Sequence, residues 1–467
     1  MTSRSSVHGS EVKALREAIE GSVLASGDAG YDEARSVWNA RFERRPEIVI
    51  RCRSAVDVGS AVDFARDRGL PISVKSGGHS YAGKTVSEGG VLIDLSLMKA
   101  IHVDADARTA DVEAGVTCAE LDAATQAHGL ATPLPTVSSV GVAGAALGGG
   151  SGYLSRKHGL TLDNLVSVDV VTARGRQLRV SQEDHPDLFW AVRGAGANFG
   201  IATSLRLRLH KVGPEVLAGQ IIYPFDKAGE LLRFFRDYMA DAPDELQCYP
   251  FMFRVPPIDA FPKRYHGQPA LDFVLCHLNP GAADVVQPLR TLGTPILDVV
   301  GPVPYTSAQH AFDASLPKGR RYFSRAHDLD TLSDAAIDTA TVHVPDMRGA
   351  LSAAYFDPLG GAIGSVDSSA TPFAGRTARY GFHVLGGWMD ADDDGAVVRW
   401  ARTFHDAMAP HATGGVYVNL LGDDEDQRVP AAYGHNYRRL IELKTTWDPD
   451  NLFRINYNIE PRSSARA

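Results

Sequence analysis

Two glycine-rich segments constrain this chain more than any other feature of its sequence. The first, Lys75-Ser-Gly-Gly-His-Ser-Tyr-Ala-Gly83, follows an apolar run at residues 70–74 that is typical of a strand. Glycines allow consecutive backbone N–H groups to turn to one side, where they form a nest for an anion such as a diphosphate. His79 lies inside this bend, where it would contact a bound cofactor. A tight turn that carries a surface histidine is the alternative.

The second segment, residues 141–152, is half glycine and contains Gly148-Gly-Gly-Ser-Gly152. Such a run lets the backbone approach a flat or anionic ligand closely and donate several N–H groups to it. A flexible linker is the alternative, but Val140, Val142 and Leu147 are interleaved with the glycines and favour burial.

A third cluster, Gly194-Ala-Gly-Ala-Asn-Phe-Gly200, has the spacing of a dinucleotide-binding fingerprint. The Rossmann arrangement requires a strand before the glycines and a helix after them. Here a short helix is predicted before the cluster and a strand from Ile201 onward. We therefore reject NAD-type binding.

Length, charge and cysteine spacing exclude several classes of protein. A chain of 467 residues exceeds one compact core, so two or three domains are expected. The net charge of -9, with no basic stripe, argues against a nucleic-acid partner. Neither a signal peptide nor a transmembrane segment is recognisable, which predicts a cytoplasmic protein without a membrane partner. The cysteines lack metal or disulfide spacing, so we expect buried free thiols and no metal site (Cys52, Cys118, Cys248 and Cys276).

The hydrophobic pattern predicts an α+β protein. A helix is expected over residues 10–24, and another begins at Ser54, before the first glycine loop. Beyond residue 213, aromatic strands such as 249–255 and 380–385 alternate with helices and predict a broad antiparallel sheet. A last strand is expected at residues 416–420.

Four segments, in order, resemble the berberine-bridge-enzyme-like branch of the vanillyl-alcohol oxidase superfamily of FAD-linked oxidases. They are VKSGGHSYAG (74–83), PTVSSVGVAGAALGGGSGYLSRKHGLTLDN (135–164), DLFWAVRGAGANFGI (187–201) and YGHNYRRLIELKTTWDPDNLFRINYNI (433–459). The resemblance implies a PCMH-type FAD-binding domain in two lobes at residues 1–213. It also implies an α+β substrate domain with a large antiparallel sheet at residues 214–417, and a C-terminal segment, 418–467, that completes the FAD domain.

The resemblance implies FAD as the cofactor, bonded covalently through His79 to the 8α carbon of the isoalloxazine ring. Val137 replaces the cysteine through which many members form a second bond, so a single bond is expected. The residues expected to contact FAD are Lys75, Ser76, Gly77, Gly78, His79, Ser80, Tyr81, Ser138, Gly141, Gly144, Gly148, Gly149, Gly150, Gly152, Ile201, Asn456 and Asn458.

The catalytic base departs from the patterns of the family. Some members use the second tyrosine of a Y-x-N-Y strand, and this chain reads Tyr417-Val-Asn-Leu420. Another subgroup has a glutamate where this chain has His383. Histidine suits proton transfer near neutral pH, so we hypothesise that His383 is the base and that Tyr417 or Tyr322 orients the substrate. Core packing is the alternative for all three side chains.

Three functions follow from the resemblance. The first is an oxidase that transfers a hydride from a small organic substrate (an alcohol, amine, sugar or secondary metabolite) to FAD and reduces molecular oxygen to hydrogen peroxide. The second is a dehydrogenase of the same fold with another acceptor. The third is a flavin-binding protein without turnover. The sequence defines neither the substrate nor the oligomeric state.

Overall fold

The computed structural model describes residues 7–462; the parts of the expected domains at residues 1–6 and 463–467 lie outside the described residues. The first lobe contains α1 (Gly9–Ala18), β1 (Ser22–Ala25), α2 (Tyr31–Arg35), β2 (Ile48–Arg51), α3 (Ala55–Asp67), β3 (Ile72–Lys75) and β4 (Val91–Asp94). Its sheet has the order β1-β2-β4-β3, in which β1 is antiparallel to β2 and the other pairs are parallel. The hydroxyl of Ser54 caps α3 by accepting the N–H of Asp57.

The helix expected over residues 10–24 ends at Ala18, so the second half of that prediction is wrong. The carboxylate of Asp57 accepts the backbone N–H groups of Glu20 and Gly21 at 2.9 and 3.1 Å. These contacts, together with pairing of β1 to β2, satisfy the backbone that a longer helix would have used.

The second lobe contains β5 (Ile101–Asp104), β6 (Thr109–Glu113), α4 (Cys118–Gln126), β7 (Leu130–Ala131), α5 (Val142–Gly148), α6 (Ser155–His158), β8 (Leu165–Val171), β9 (Gln177–Ser181), α7 (Pro186–Ala195), β10 (Ile201–Arg208) and β11 (His210–Lys211). Five of these strands form an antiparallel sheet in the order β5-β6-β10-β8-β9, and β11 pairs with β7. The third glycine cluster therefore follows a helix and precedes a strand, as expected.

The next part of the chain contains β12 (Glu215–Pro224), α8 (Ala228–Asp241), β13 (Leu246–Arg254), β14 (Pro269–His277), α9 (Ala283–Arg290), β15 (Leu297–Asp298), β16 (Gly301–Pro304), α10 (Tyr305–Gln309), β17 (Arg321–Leu329), α11 (Asp334–His343), β18 (Ala353–Pro358), α12 (Ala362–Ser365), β19 (Tyr380–Trp388) and α13 (Asp394–Met408). Its strands form one antiparallel sheet in the order β15-β12-β14-β13-β18-β19-β17, with β16 beside β12. Helices α8, α11 and α13 cover one face of this sheet through an apolar core. The other face is free to line a cavity.

The C-terminal segment contains α14 (Val429–Tyr433) and α15 (Tyr437–Trp447) and packs into the core of the N-terminal lobes. The strand expected at 416–420 is wrong, because Val418–Leu420 forms a turn of 3-10 helix. In this turn the side-chain amide of Asn419 donates to the hydroxyl of Tyr417 at 2.8 Å. The N–H groups of Leu420 and Leu421 each donate to the carbonyl oxygen three residues earlier, so this backbone bonds within the turn instead of to a neighbouring strand.

Within residues 7–462 all four cysteines are free and buried, as predicted. In the same part of the chain, no helix combines the length and the apolar character needed to cross a bilayer, and no cluster of three potential metal ligands occurs.

Candidate functional site

One cavity of about 990 Å³ is lined by both N-terminal lobes, the free face of the large sheet and the C-terminal segment. A volume of this size lies at the upper end of the range of ligand sites. The first glycine loop, residues 76–81, forms part of its wall, and residues 453 and 455–457 form another part.

The first glycine loop presents unsatisfied donors to this cavity. Within residues 7–462, the backbone N–H groups of residues 77–81, which line the cavity, donate no hydrogen bond to the protein. Gly78 has a φ of +74°, which an L side chain rarely adopts and which turns the loop. A row of free amides at the end of β3 fits an anionic group such as a diphosphate.

The two glycine-rich segments touch each other at Gly77 and Gly141. A Cβ atom at Gly77 would lie 2.3 Å from the backbone nitrogen of Gly141, and one at Gly141 would lie 2.3 Å from the hydroxyl oxygen of Ser76. Only glycine allows this approach. Both residues line the cavity, so the contact fixes the two halves of the ligand cradle against each other.

The other glycines of the second segment separate into two roles. Gly144 lines the cavity and has open space where a Cβ atom would be. Four other glycines pack against the protein itself: Gly148–Gly150 and Gly152. A Cβ atom at Gly148 would clash with the side chain of Asn419, and one at Gly152 would lie 1.9 Å from the carbonyl oxygen of Leu134. These four glycines do not line the cavity; they permit close packing behind it.

His79 lines the cavity beside Trp38, with the two ring centroids 4.8 Å apart and nearly parallel. Its Nε2 atom is 2.7 Å from the hydroxyl of Ser139. Burial lowers the pKa of His79 to about 4, so the imidazole is neutral at pH 7. Val137 also lines the cavity, at the place expected for a second attachment.

Only some of the other residues that were predicted to contact the cofactor line the cavity. Ile201 and Asn456 line it, and the side-chain oxygen of Asn456 is buried without a partner. Ser138 and Asn458 do not line it, although each has a buried oxygen without a partner. The ammonium of Lys75 lies 3.2 Å from Asp94 and is directed away from the cavity.

The wall opposite the glycine loops is a single cross-strand row of the large sheet. Strand register aligns Ile222, Asp272, Phe251, Tyr355 and His383 on five neighbouring strands. All but His383 line the cavity. The rings of Phe251 and Tyr355 stack with centroids 4.4 Å apart.

His383 lies directly behind Tyr355 and is 2 % exposed. Its Nε2 atom is 2.9 Å from the hydroxyl of Ser324, which itself donates to the carbonyl oxygen of Leu420 at 2.7 Å. Because the single hydroxyl proton of Ser324 is used there, Nε2 of His383 must donate. The Nδ1 atom is then an acceptor, so the hydroxyl of Tyr355 donates to it across 2.9 Å.

This arrangement changes the interpretation of the three predicted catalytic residues. His383 does not line the cavity but contacts two residues that do, Tyr355 and Tyr81. Burial lowers the pKa of His383 to about 3. Tyr417 lines the cavity and its hydroxyl accepts the N–H of Gly150 at 2.7 Å. The prediction for Tyr322 is not supported, because its ring stacks on Trp38, its hydroxyl donates to the carbonyl oxygen of Pro317, and it does not line the cavity.

Sequence reasoning missed three polar residues of the sheet wall. Tyr355 and Asp357 are two residues apart on β18 and share a face, which the period of a strand could have shown. Asp272 is a lone acid inside the apolar strand β14, and such a residue is itself a signal. The carboxyl of Asp357 accepts from Gln247 at 2.9 Å, and burial raises the pKa of Asp357 to about 7.

Comparisons with known proteins agree with this geometry. Residues 46–181 match the family described as FAD binding domain, and residues 416–460 match the family described as berberine and berberine like. The chain is 30% identical to a FAD-linked oxidoreductase of Dictyostelium discoideum, over 95% of this chain and 96% of that protein. It is 31% identical to the (R)-6-hydroxynicotine oxidase of Paenarthrobacter nicotinovorans, over 96% and 98%.

Solved structures show the same fold. The 6-hydroxy-D-nicotine oxidase of Arthrobacter nicotinovorans superimposes with a TM-score of 0.85 at 28% identity, covering 95% of this chain and 98% of that one. The protein is thus a flavoprotein oxidoreductase with a PCMH-type α+β fold, which confirms the predicted fold class. It belongs to the berberine-bridge-enzyme-like family of FAD-linked oxidoreductases.

Proposed function

We propose that this protein is an oxidase that takes a hydride from a carbon bearing a hydroxyl or amine group of a small organic molecule and passes the electrons to molecular oxygen, forming hydrogen peroxide. The observation that carries the proposal is the cavity of about 990 Å³ that is lined both by His79 and the free amides of residues 77–81 and by the row that contains Tyr355. The relationship to (R)-6-hydroxynicotine oxidase supports it.

The residues that line the cavity fit FAD. Free amides at residues 77–81 would hold the pyrophosphate, and the space beside Gly144 would admit the flat ring system. FAD, when bound, supplies the electron acceptor for the substrate carbon. A single covalent bond through His79 is supported by its neutral imidazole and by the packing of that ring on Trp38.

The chain itself would remove the substrate proton through Tyr355. Because the phenol hydrogen is directed at Nδ1 of His383, the phenol oxygen keeps its lone pairs for a substrate O–H or N–H. As Tyr355 takes the substrate proton, its own proton moves to Nδ1. Burial opposes the resulting imidazolium, so this proton movement has to coincide with departure of the hydride, which brings a compensating negative charge into the cavity. In this proposal Tyr355 contacts the substrate, and His383 is a positioning residue held by Ser324.

Covalent attachment can be tested without knowing the substrate. Acid-precipitated protein should keep its yellow colour in the pellet, and the tryptic peptide with His79 should carry the added mass of the flavin. The His79→Ala variant should release its flavin into the supernatant. A wild-type His79 peptide of unmodified mass would show that the bond is absent, and colourless protein that takes up no FAD would contradict the whole proposal.

Turnover requires a screen of alcohols, amines, sugars and phenolic metabolites, followed by flavin absorbance without oxygen. A substrate should bleach the flavin promptly, and readmitted air should restore the colour and yield hydrogen peroxide. Bleaching without peroxide would indicate a dehydrogenase with another acceptor. If no member of the screen bleached a fully loaded protein, the result would favour a flavin-binding protein without turnover.

A further inference from the structure

Asp272 is the one carboxyl in the cross-strand row, and the protein gives it no partner. It is 4 % exposed and lines the cavity between Ile222 on β12 and Phe251 on β13. Among the contacts of residues 7–462, no hydrogen bond or ion pair reaches its side chain, and its Oδ1 atom is fully buried. Burial without compensation raises the pKa of this carboxyl well above its usual range.

An unsatisfied buried carboxyl is costly, and native proteins seldom keep one without a reason. The cost here is not offset by any neighbouring chain group. Since Asp272 faces a ligand cavity, a polar group of a bound ligand can supply the missing partner.

The basic residues of the cavity wall are already engaged elsewhere. The ammonium of Lys84 lies 2.8 Å from the carboxylate of Asp426. The guanidinium of Arg254 donates to three backbone carbonyl oxygens, those of Pro345, Met347 and Gly267. Neither cation is paired with Asp272, so this end of the cavity is left with an uncompensated acid.

The surroundings of Asp272 also suit a cation. Phe251 is its direct cross-strand neighbour and stacks on Tyr355, so aromatic faces lie beside the carboxyl. The faces of aromatic rings attract ammonium groups. A carboxyl next to stacked rings is therefore an arrangement that recognises a protonated amine rather than a neutral polar group.

We propose that Asp272 binds a protonated amine of the substrate and releases its own proton to solvent as the ammonium enters, so that a carboxylate–ammonium pair replaces the neutral acid. Tyr355 lies two strands away in the same row, which places its backbone about 10 Å from that of Asp272. The amine is thus a recognition group at one end of the row, and the carbon to be oxidised lies at the Tyr355 end. This inference rests on the proposed function for the location of the reacting carbon, but the binding of the amine does not depend on turnover.

The test uses a matched pair of probes on the FAD-loaded protein, 4-phenylbutylamine and 4-phenylbutan-1-ol, with binding measured by calorimetry and by the flavin difference spectrum. The wild type should bind the amine about tenfold or more tightly than the alcohol, because a hydrogen bond to a charged group is strong. The Asp272→Asn variant should lose this preference and bind the alcohol as the wild type does. The control Asp298→Asn changes an exposed acid of β15 that pairs with Arg290, and should leave both affinities unchanged.

A second measurement guards against a variant that fails to fold. If Asp272 is unsatisfied in the free protein, Asp272→Asn and Asp272→Leu should melt at the wild-type temperature or above it when no amine is present. A wild type without preference for the amine, or an Asp272→Asn variant that retains it, would overturn the proposal. Loss of the preference in a protein that oxidises nothing would leave the amine site standing and count against the oxidase function alone.

Discussion

At Tyr355 the direction of one hydrogen bond decides what the hydroxyl can do. The hydroxyl of Ser324 donates its hydrogen bond to the carbonyl oxygen of Leu420. Nε2 of His383 is therefore a donor, and Nδ1 is an acceptor. The phenol of Tyr355 therefore donates into the protein and can accept from the cavity. His383, which does not contact the substrate in this proposal, thereby sets the direction of the hydrogen bond made by Tyr355, which does.

Removing the hydroxyl oxygen of Tyr355 should slow the reaction. In Tyr355→Phe we expect the anaerobic rate of flavin reduction to fall about 10²- to 10⁴-fold, the range typical of general-base catalysis, with little change in substrate affinity. The measurement is stopped-flow absorbance with the substrate found in the screen. Tyr322→Phe is the matched control, since among residues 7–462 the hydroxyl of Tyr322 bonds only to the carbonyl oxygen of Pro317, and its rate should stay close to that of the wild type. A Tyr355→Phe variant with unchanged reduction would make the assignment wrong.

At the scale of elements, α5 and the first glycine loop form the cradle together. Gly77 is required by the protein itself, because any side chain there would strike Gly141. Gly144 sits on the cavity side of α5, where the protein leaves open space. The same residue type thus serves packing at one position and ligand access at the other.

The variants Gly144→Ala and Gly77→Ala should separate these roles. Alanine stabilises a helix by about 1 kcal/mol relative to glycine, so Gly144→Ala should fold and melt at least as well as the wild type in flavin-free form. It should nevertheless purify with less bound flavin, because the added methyl group enters the cavity. Gly77→Ala should lose both flavin and thermal stability. Full flavin content in Gly144→Ala, read from the ratio of visible to ultraviolet absorbance, would show that the cofactor does not approach α5.

On the scale of the whole molecule, a buried ion pair fastens the C-terminal segment to the N-terminal lobes. Lys444 is fully buried and donates to Asp448 at 2.7 Å and to the carbonyl oxygens of Asn198 and Phe453, both at 2.9 Å. Asp448 in turn accepts two backbone N–H groups of the segment that leads to Asn456. One pair therefore links α15, the third glycine cluster and a wall of the cavity.

Breaking this pair should cost far more than breaking a surface pair. Asp448→Asn leaves the charge of Lys444 buried without its counter-ion, and we expect a loss of about 3–5 kcal/mol in the free energy of unfolding. Asp187→Asn removes the exposed pair with Arg439 and should cost no more than about 1 kcal/mol. Urea denaturation of the two variants measures both values, and equal midpoints would contradict the anchoring role.

Two pairs of stacked histidines predict how stability depends on pH. His158 stacks on His210 at 3.8 Å, and His327 stacks on His405 at 3.9 Å. Burial lowers the pKa of His158 and of His210 to about 4 and that of His327 to about 3. Below about pH 6.5, the ordinary pKa of histidine, these histidines bind protons in the unfolded chain but stay neutral in the folded protein. The free energy of unfolding therefore decreases as the pH falls from about 6.5 towards 4.

The variant His158→Phe keeps a ring on His210 but removes one titrating group. Its melting temperature should therefore fall less than that of the wild type between pH 7.5 and pH 4.5, as measured by circular dichroism. The exposed His102 provides the control, and His102→Gln should follow the wild type at both pH values. Parallel melting curves for His158→Phe and the wild type would contradict this account.

The sequence alone indicated the family, through the resemblance of four ordered segments. It also indicated the α+β class and the first glycine loop, because these depend on strand and helix periods and on local backbone freedom. It could not show that Gly148–Gly150 pack against protein while Gly144 faces the cavity, since both roles require glycine and differ only in what lies opposite. Nor could it align Asp272, Phe251, Tyr355 and His383, which come from four strands in an order unlike that of the chain. Cross-strand register, a property of the folded sheet alone, placed an unpartnered acid and a hydrogen-bonded phenol on one wall of the cofactor cavity.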